Sequence, residues 1–258
     1  TGLDDLLRGG LVLPFSKKGL ILLIKGTPGT GKSTLALQLT KGALSWNNSS
    51  NLSINKNNNI VIYTSEQNRK DINSLWERLY YSRVIPNNLS INPKLNISPE
   101  NPFSEDSWTL EWANKVHHDI LNKKSERQRM IIVDGLNLMS LEDLKTLQVE
   151  YLVKALRDES LVGVIVFETD ENSHDNLDYL ADMIIELKGG VSKEEPEYYL
   201  HHIKIGKARF QSHVLGWHQY KITGKTGVIV YPSLHFRVHK PGLLGDRLKD
   251  SEKNIVED

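Results

Sequence analysis

The chain contains no cysteine. Disulfides and thiolate metal sites are therefore excluded, and an intracellular, cytoplasmic setting is the expectation. Neither sign of charge is in excess: lysine plus arginine and aspartate plus glutamate both number 32. No whole-molecule field draws in DNA or RNA, although a local patch stays possible. Long apolar runs are missing too. The longest aliphatic stretch, Leu20 to Ile24, is far short of the ~20 residues that span a bilayer as a helix. No signal peptide and no tandem repeat are visible.

What is present suits a globular α/β protein. The 258 residues are 39% hydrophobic and 25% charged, enough for one large domain or two small ones with a real core. The first residue is Thr1, and TGLDDLLRGG already reads as the inside of a domain, so upstream residues are expected. Apolar runs at 19–25, 60–64, 130–134 and 162–168 read as buried strands. Helical spacing fills 32–46, 69–83, 108–122 and 141–159 between them. The alternation predicts a mainly parallel central sheet with helices on both faces. Segment 47–59 is a polar, asparagine-rich surface loop. Segment 84–107 is mostly loop, with a short strand near Leu89–Ile91. Runs at 183–188, 198–208, 214–222 and 228–231, separated by short turns, predict a C-terminal antiparallel strand extension. The main domain is placed at 1–238 and a polar, flexible tail at 239–258.

GTPGTGKS at 26–33 matches the pattern glycine, four residues, Gly-Lys-Ser. Thr27, Pro28, Gly29, Thr30 and Gly31 form a turn whose amides approach phosphate oxygens, and the next helix brings its positive end to the same anion. Lys32 adds a point charge at the β and γ phosphates. Ser33 ligates Mg²⁺, and Thr34 reaches the α phosphate. The pattern implies a nucleotide, ATP, with Mg²⁺.

Two carboxylates complete this candidate site. MIIVDG ends four apolar residues with Asp134, where a carboxylate at the end of a parallel strand holds the water shell of Mg²⁺; the plain alternative is an aspartate that only ends a strand. IVIYTSEQ places Glu66 after a buried strand, where a glutamate can orient and deprotonate an attacking water; the plain alternative is a helix cap near Arg69. Gln67 follows it, so no second carboxylate is paired there.

With these residues in place, the chain resembles the KaiC-like branch of the RecA superfamily of ATPases, from Thr1 to about Leu234. TGLDDLLRGGL is similar to the segment before the phosphate-loop strand of that branch, GTPGTGKSTLALQL to its loop and helix, and IIVDGLNLM to its Asp-ending strand. YTSEQNRKDI looks like its tandem-glutamate segment, with Glu66 kept and Gln67 in the second place. Gly135 stands where a small hydroxyl residue is usual. The family pattern Lys-x-Arg, three residues, His is met by Lys207, Arg209 and His213. The resemblance implies a ring, expected to be a homohexamer, with ATP at subunit interfaces. Lys207 and Arg209 would then touch the neighbour's γ phosphate, and His213 would lie near that nucleotide. From pattern alone, a solvent-facing strand with alternating cations is the better reading of 207–213; the resemblance is what favours the trans role.

Other activities fit less well. The loop GLNLMSLEDLKTLQ has one lysine against two acids, and ETDENSHDNLDYL has five acids and no lysine or arginine. Backbone binding needs clustered cations, so a nucleic-acid partner is not expected. The adjacent histidine pairs 117–118 and 201–202 do not form a metal site. A regulatory ATPase with an unidentified protein partner is the reading. An ATP-driven assembly scaffold with little turnover and a DNA-repair paralogue are the alternatives.

Overall fold

The fold is seen in a computed structural model that describes residues 2–14, 18–45, 60–64, 67, 69–80, 89–93, 115–122, 128–135, 147–169, 176–191, 198–224 and 226–233. The asparagine-rich segment 47–59, Glu66, the acidic stretch 170–175 and the tail 239–258 lie outside them, as does most of the expected loops 84–107 and 135–148.

Runs of 12 to 14 residues with periodic apolar spacing make the long helices, and short runs rich in β-branched residues make the strands. In chain order the elements are α1 (Leu3–Leu6), β1 (Leu20–Gly26), α2 (Lys32–Ser45), β2 (Ile60–Thr64), α3 (Arg69–Tyr80) and β3 (Leu89–Pro93). Then come α4 (described over 115–122), β4 (Gln128–Asp134), α5 (Leu147–Glu159), β5 (Ser160–Glu168) and α6 (Asn176–Leu180). The chain continues with β6 (Met183–Val191), β7 (Tyr199–Ala208), β8 (His218–Thr223) and β9 (Gly227–Tyr231).

All nine strands join one sheet in the order β3-β2-β4-β5-β1-β6-β7-β8-β9. From β3 through β6 every pairing is parallel, and from β6 to β9 every pairing is antiparallel. One expectation is corrected here. Residues 183–188 do not begin the antiparallel extension: β6 runs parallel to β1, with Leu22 beside Met183 and Gly26 beside Leu187. The direction changes only at β7. Residues 214–217 are also not strand; the Val214 amide instead donates to the Leu6 carbonyl at 2.8 Å.

Alternation along the central strands feeds two cores. Leu22 and Ile24 of β1, Met130 and Ile132 of β4, and Val162, Val164 and Val166 of β5 face α2 and α3. Ile21 and Leu23, Ile131 and Val133, and Ile165 and Phe167 face α4, α5 and α6. All seven residues of β1 are buried, which is why Leu20–Ile24 is a continuous apolar run rather than an alternating one; the buried Lys25 that follows is ion-paired with Asp178 at 2.7 Å. Each such side chain contributes roughly 1.5–3 kcal/mol of burial. The antiparallel strands add Ile203, Ile205, Tyr220, Val228 and Val230 to the α2 side.

Polar groups fasten the layers. Gln38 on α2 spans the Val228 backbone, accepting from its N–H at 2.6 Å and donating to its carbonyl at 3.0 Å. Arg129, buried, donates to the Ala43 carbonyl in the last turn of α2 at 2.9 Å. At the start of β6, Asp182 is 1% exposed. Its carboxylate accepts from the Ile21 amide at 3.0 Å, from Arg157 at 2.6 Å and from Arg209 at 3.3 Å.

Two stability outcomes follow. Asp182→Ala removes the carboxylate that accepts from Arg157 and from the Ile21 amide, and should cost about 3 kcal/mol in urea unfolding, as removal of one partner of a buried pair does. Arg209→Ala, at a half-exposed pair, should cost less than about 1 kcal/mol; equal losses would contradict this ranking. The second concerns His218, which is buried and whose Nδ1 accepts from the Ser233 amide at 3.0 Å. Burial lowers its pKa, only partly offset by the Leu215 backbone. The unfolded chain takes up the proton near pH ~6.5 while the folded one does so lower. Stability is therefore fully present above that pH and declines as pH falls from it toward the folded value. His218→Asn should flatten this decline in unfolding midpoints between pH 7.5 and 5.5.

Candidate functional site

The phosphate loop joins the buried β1 to α2. Gly26 ends β1, and a Cβ there would collide with the Leu187 carbonyl of β6, so only glycine lets the two strands pair this closely at the edge. Thr27 is half-buried, Pro28 and Gly29 are exposed, and Thr30 is buried. The Thr30 hydroxyl donates to the Thr27 carbonyl at 2.7 Å, which closes the turn. Gly31 has φ 78°, in the left-handed region, and a Cβ there would strike Ile222 of β8. The first α2 hydrogen bond runs from the Leu35 amide to the Gly31 carbonyl at 2.9 Å. Lys32, Ser33 and Thr34 thus occupy the first helical turn, Lys32 buried and the two hydroxyl residues half-buried.

Parallel register brings the other strand ends to the same edge of the sheet. Gly26 lies beside Glu168 of β5, Val166 beside Asp134 of β4, and Asp134 beside Thr64 of β2. Asp134 is 5% exposed. β4 lies two strands from β1, ~10 Å at ordinary strand spacing. Glu66 is outside the described residues. At the end of β2 the Gln67 amide donates to the Thr64 hydroxyl at 3.1 Å. A hydroxyl and a carboxylate are hard oxygen donors, and a glycine-rich loop at a helix start lies at the same edge of the sheet. This donor set fits a nucleotide phosphate with Mg²⁺.

Lys207 and Arg209 are not at this edge. Lys207 lies beside Ile184, which lies beside Leu23 of β1, and the Arg209 amide donates to the Asp182 carbonyl at 2.9 Å. Both cations therefore sit toward the opposite end of the strands, two strands over from β1 and ~10–17 Å down the sheet from Gly26. A β-bulge between Ile184 and Ile185 leaves Gly206 without a partner across the ladder. The extra residue turns Lys207 to the α6 face, away from Ile203 and Ile205. Lys207 Nζ donates to the Asp178 carbonyl at 2.6 Å, and Arg209 to the Tyr179 carbonyl at 3.0 Å. Burial, then the Arg209 guanidinium, lowers the Lys207 pKa, while Asp182 and Asp178 pull it back up. His213 is half-buried on the segment after them. That segment is strapped to the N-terminal residues by Gln211, which donates to the Leu7 and Gly10 carbonyls at 2.9 and 2.8 Å.

Two site residues escaped sequence reasoning. Glu168 accepts from Lys32 Nζ at 3.2 Å; it ends a strand with a carboxylate as Asp134 does, and that parallel was the available signal. Tyr220, buried on β8, donates its hydroxyl to the Thr30 carbonyl, and burial raises its pKa. Nothing local in the sequence marks that contact.

A phosphate loop at the C-terminal edge of a parallel sheet, with a carboxylate ending a strand two positions away, defines a RecA-like P-loop ATPase domain. The model of the family described as ATPase: KaiC matches residues 1–235, and the chain belongs to that KaiC ATPase family. Membership suggests ATP binding and hydrolysis, and members typically use Mg²⁺ and form oligomers. No curated protein matches the chain at a significant level. Among the described residues no helix is long and apolar enough to cross a membrane.

Tyr220→Phe tests the support of the loop. Removing the hydroxyl leaves the buried Thr30 carbonyl without this donor, so stability should fall by about 1–3 kcal/mol in urea unfolding, with weaker nucleotide binding in titration calorimetry. Unchanged values in both would show that the contact does not shape the loop.

Proposed function

We propose that the protein hydrolyses Mg-ATP at interfaces between its own copies, arranged as a ring and expected to be a hexamer, in a cytoplasmic regulatory role with a protein partner. The observation that carries this is the division of the chemistry between two edges of the sheet. Thr27, Pro28, Gly29, Thr30, Gly31, Lys32, Ser33 and Thr34 present the loop and helix start at one edge. Lys207 and Arg209 lie toward the other, too far from their own loop for side chains of ~6–7 Å reach. A neighbouring copy is the simplest recipient of such cations.

In this reading the loop amides and Lys32 orient the triphosphate. Ser33 and Asp134 would hold Mg²⁺, which when bound supplies charge neutralisation at the phosphate oxygens. Glu66 takes a proton from water as its oxygen attacks the γ phosphorus. The bond from that phosphorus to the bridging oxygen breaks, and ADP and inorganic phosphate result. Lys207 and Arg209 of the neighbour meet the charge on the γ oxygens, and His213 lies beside the same nucleotide. Arg209 must then exchange its Tyr179 and Asp182 contacts for phosphate, so turnover is slow and depends on assembly.

Purified protein should hydrolyse Mg-ATP, and Glu66→Gln should reduce kcat by about 10²–10⁴. Arg209→Ala should reduce it by about 10³ or more. Mixing inactive Lys32→Ala and Arg209→Ala chains should restore activity, because some interfaces then pair an intact loop with an intact arginine. No recovery at any ratio rejects the trans arrangement. A solution mass that rises with ATP while turnover stays negligible favours the assembly scaffold, and salt-sensitive single-strand binding favours the DNA-repair reading.

A further inference from the structure

The ammonium that the phosphate-loop pattern directs to the β and γ phosphates already has an anionic partner. Lys32 Nζ donates to Glu168 at 3.2 Å and to the Thr27 carbonyl at 3.0 Å. The lysine side chain is 8% exposed and that of Glu168 is 37% exposed, so a carboxylate stands at the mouth of the cleft that holds the cation. The backbone places it there. Glu168 is the last residue of β5, in register beside Gly26, and the next amide, of Thr169, donates to the Gly26 carbonyl at 3.3 Å. The carboxylate is thereby tied to the base of the loop. A polyphosphate on the loop offers a second anion to the same Nζ, and two anions a few ångströms apart repel each other.

We infer that Glu168 is a positioning residue that competes with the nucleotide's β and γ phosphates for Lys32 and so sets nucleotide affinity. This rests on the reading that the loop binds ATP. Each binding event draws Lys32 away from a carboxylate that the sheet keeps in place, so affinity is lower than the loop alone would give and release is easier. The effect belongs to the phosphates that the lysine reaches. It therefore acts on ATP and ADP and not on AMP.

The test is titration calorimetry on the full chain with a non-hydrolysable Mg-ATP analogue, ADP and AMP, beside steady-state ATPase rates. Glu168→Gln keeps the shape and removes the charge. It should tighten the analogue and ADP by about two- to fivefold, the range that a part-exposed ion pair supports. AMP should be unaffected, and KM should fall by more than kcat changes. Glu168→Asp, which withdraws the carboxylate by one methylene, should move the same way by less, and stands in if the glutamine variant does not fold. Unchanged or weaker binding of the analogue overturns the inference. So does a kcat loss of about a hundredfold with affinity unchanged, which would make Glu168 a group acting on the attacking water. A wild-type chain that binds no analogue overturns the ATP reading itself, a result distinct from wild-type binding that the substitution fails to tighten.

Discussion

The position of β1 in the middle of a parallel sheet, buried on both faces, governs the rest of the molecule. A strand with no solvent face needs apolar side chains up and down, and so Leu22 and Ile24 go to one core while Ile21 and Leu23 go to the other. Parallel neighbours on both sides then force the C-terminal ends of β5, β1 and β6 to a common edge. That edge is where strands hand over to loops and where the α2 helix begins. The phosphate loop, Glu168 and Asp134 meet there because strand direction puts them there, not because they are close in sequence.

The opposite end of β1 is organised by a different interaction. Asp182 gathers the Ile21 amide, Arg157 and Arg209 around one buried carboxylate. It pins the point at which the chain enters β6 and completes the parallel set. The return strand β7 then carries its cations toward this end, and the bulge at Gly206 turns Lys207 toward α6. Loop and cations are separated by two strands and ~10–17 Å along the sheet within one copy, and that separation gives weight to the reading in which they act on each other's copies. Tyr220 and Gln38 bind the antiparallel strands back onto the loop and its helix, so the two ends are parts of one packed body.

Much of this could be read from the residues. The apolar runs located β1, β2, β4 and β5, and glycine spacing located the loop, because both signals are local: continuous burial and positive φ each demand particular residue types. β6 was misread as antiparallel. Its direction depends on the connection from β5, and the residues between are acidic and, among the described ones, carry the five-residue α6, so they read as loop and not as a crossover helix. Glu168 was counted only as one acid among five, since charge counting ignores which strand end faces Lys32. The partners of Lys207 were invisible because a single bulged residue reverses which face it takes.

The sequence by itself determined that a phosphate loop follows a buried strand, that Asp134 ends a later apolar strand, and that the chain is an α/β domain of the KaiC ATPase family. Those properties follow from residue type at short range. Only the tertiary structure decided that β6 is parallel, that Glu168 holds Lys32, that Tyr220 supports Thr30, and that Lys207 and Arg209 lie far from their own loop. These depend on strand order and register, which are set by the packing of two cores across the whole chain and leave no mark on any one segment.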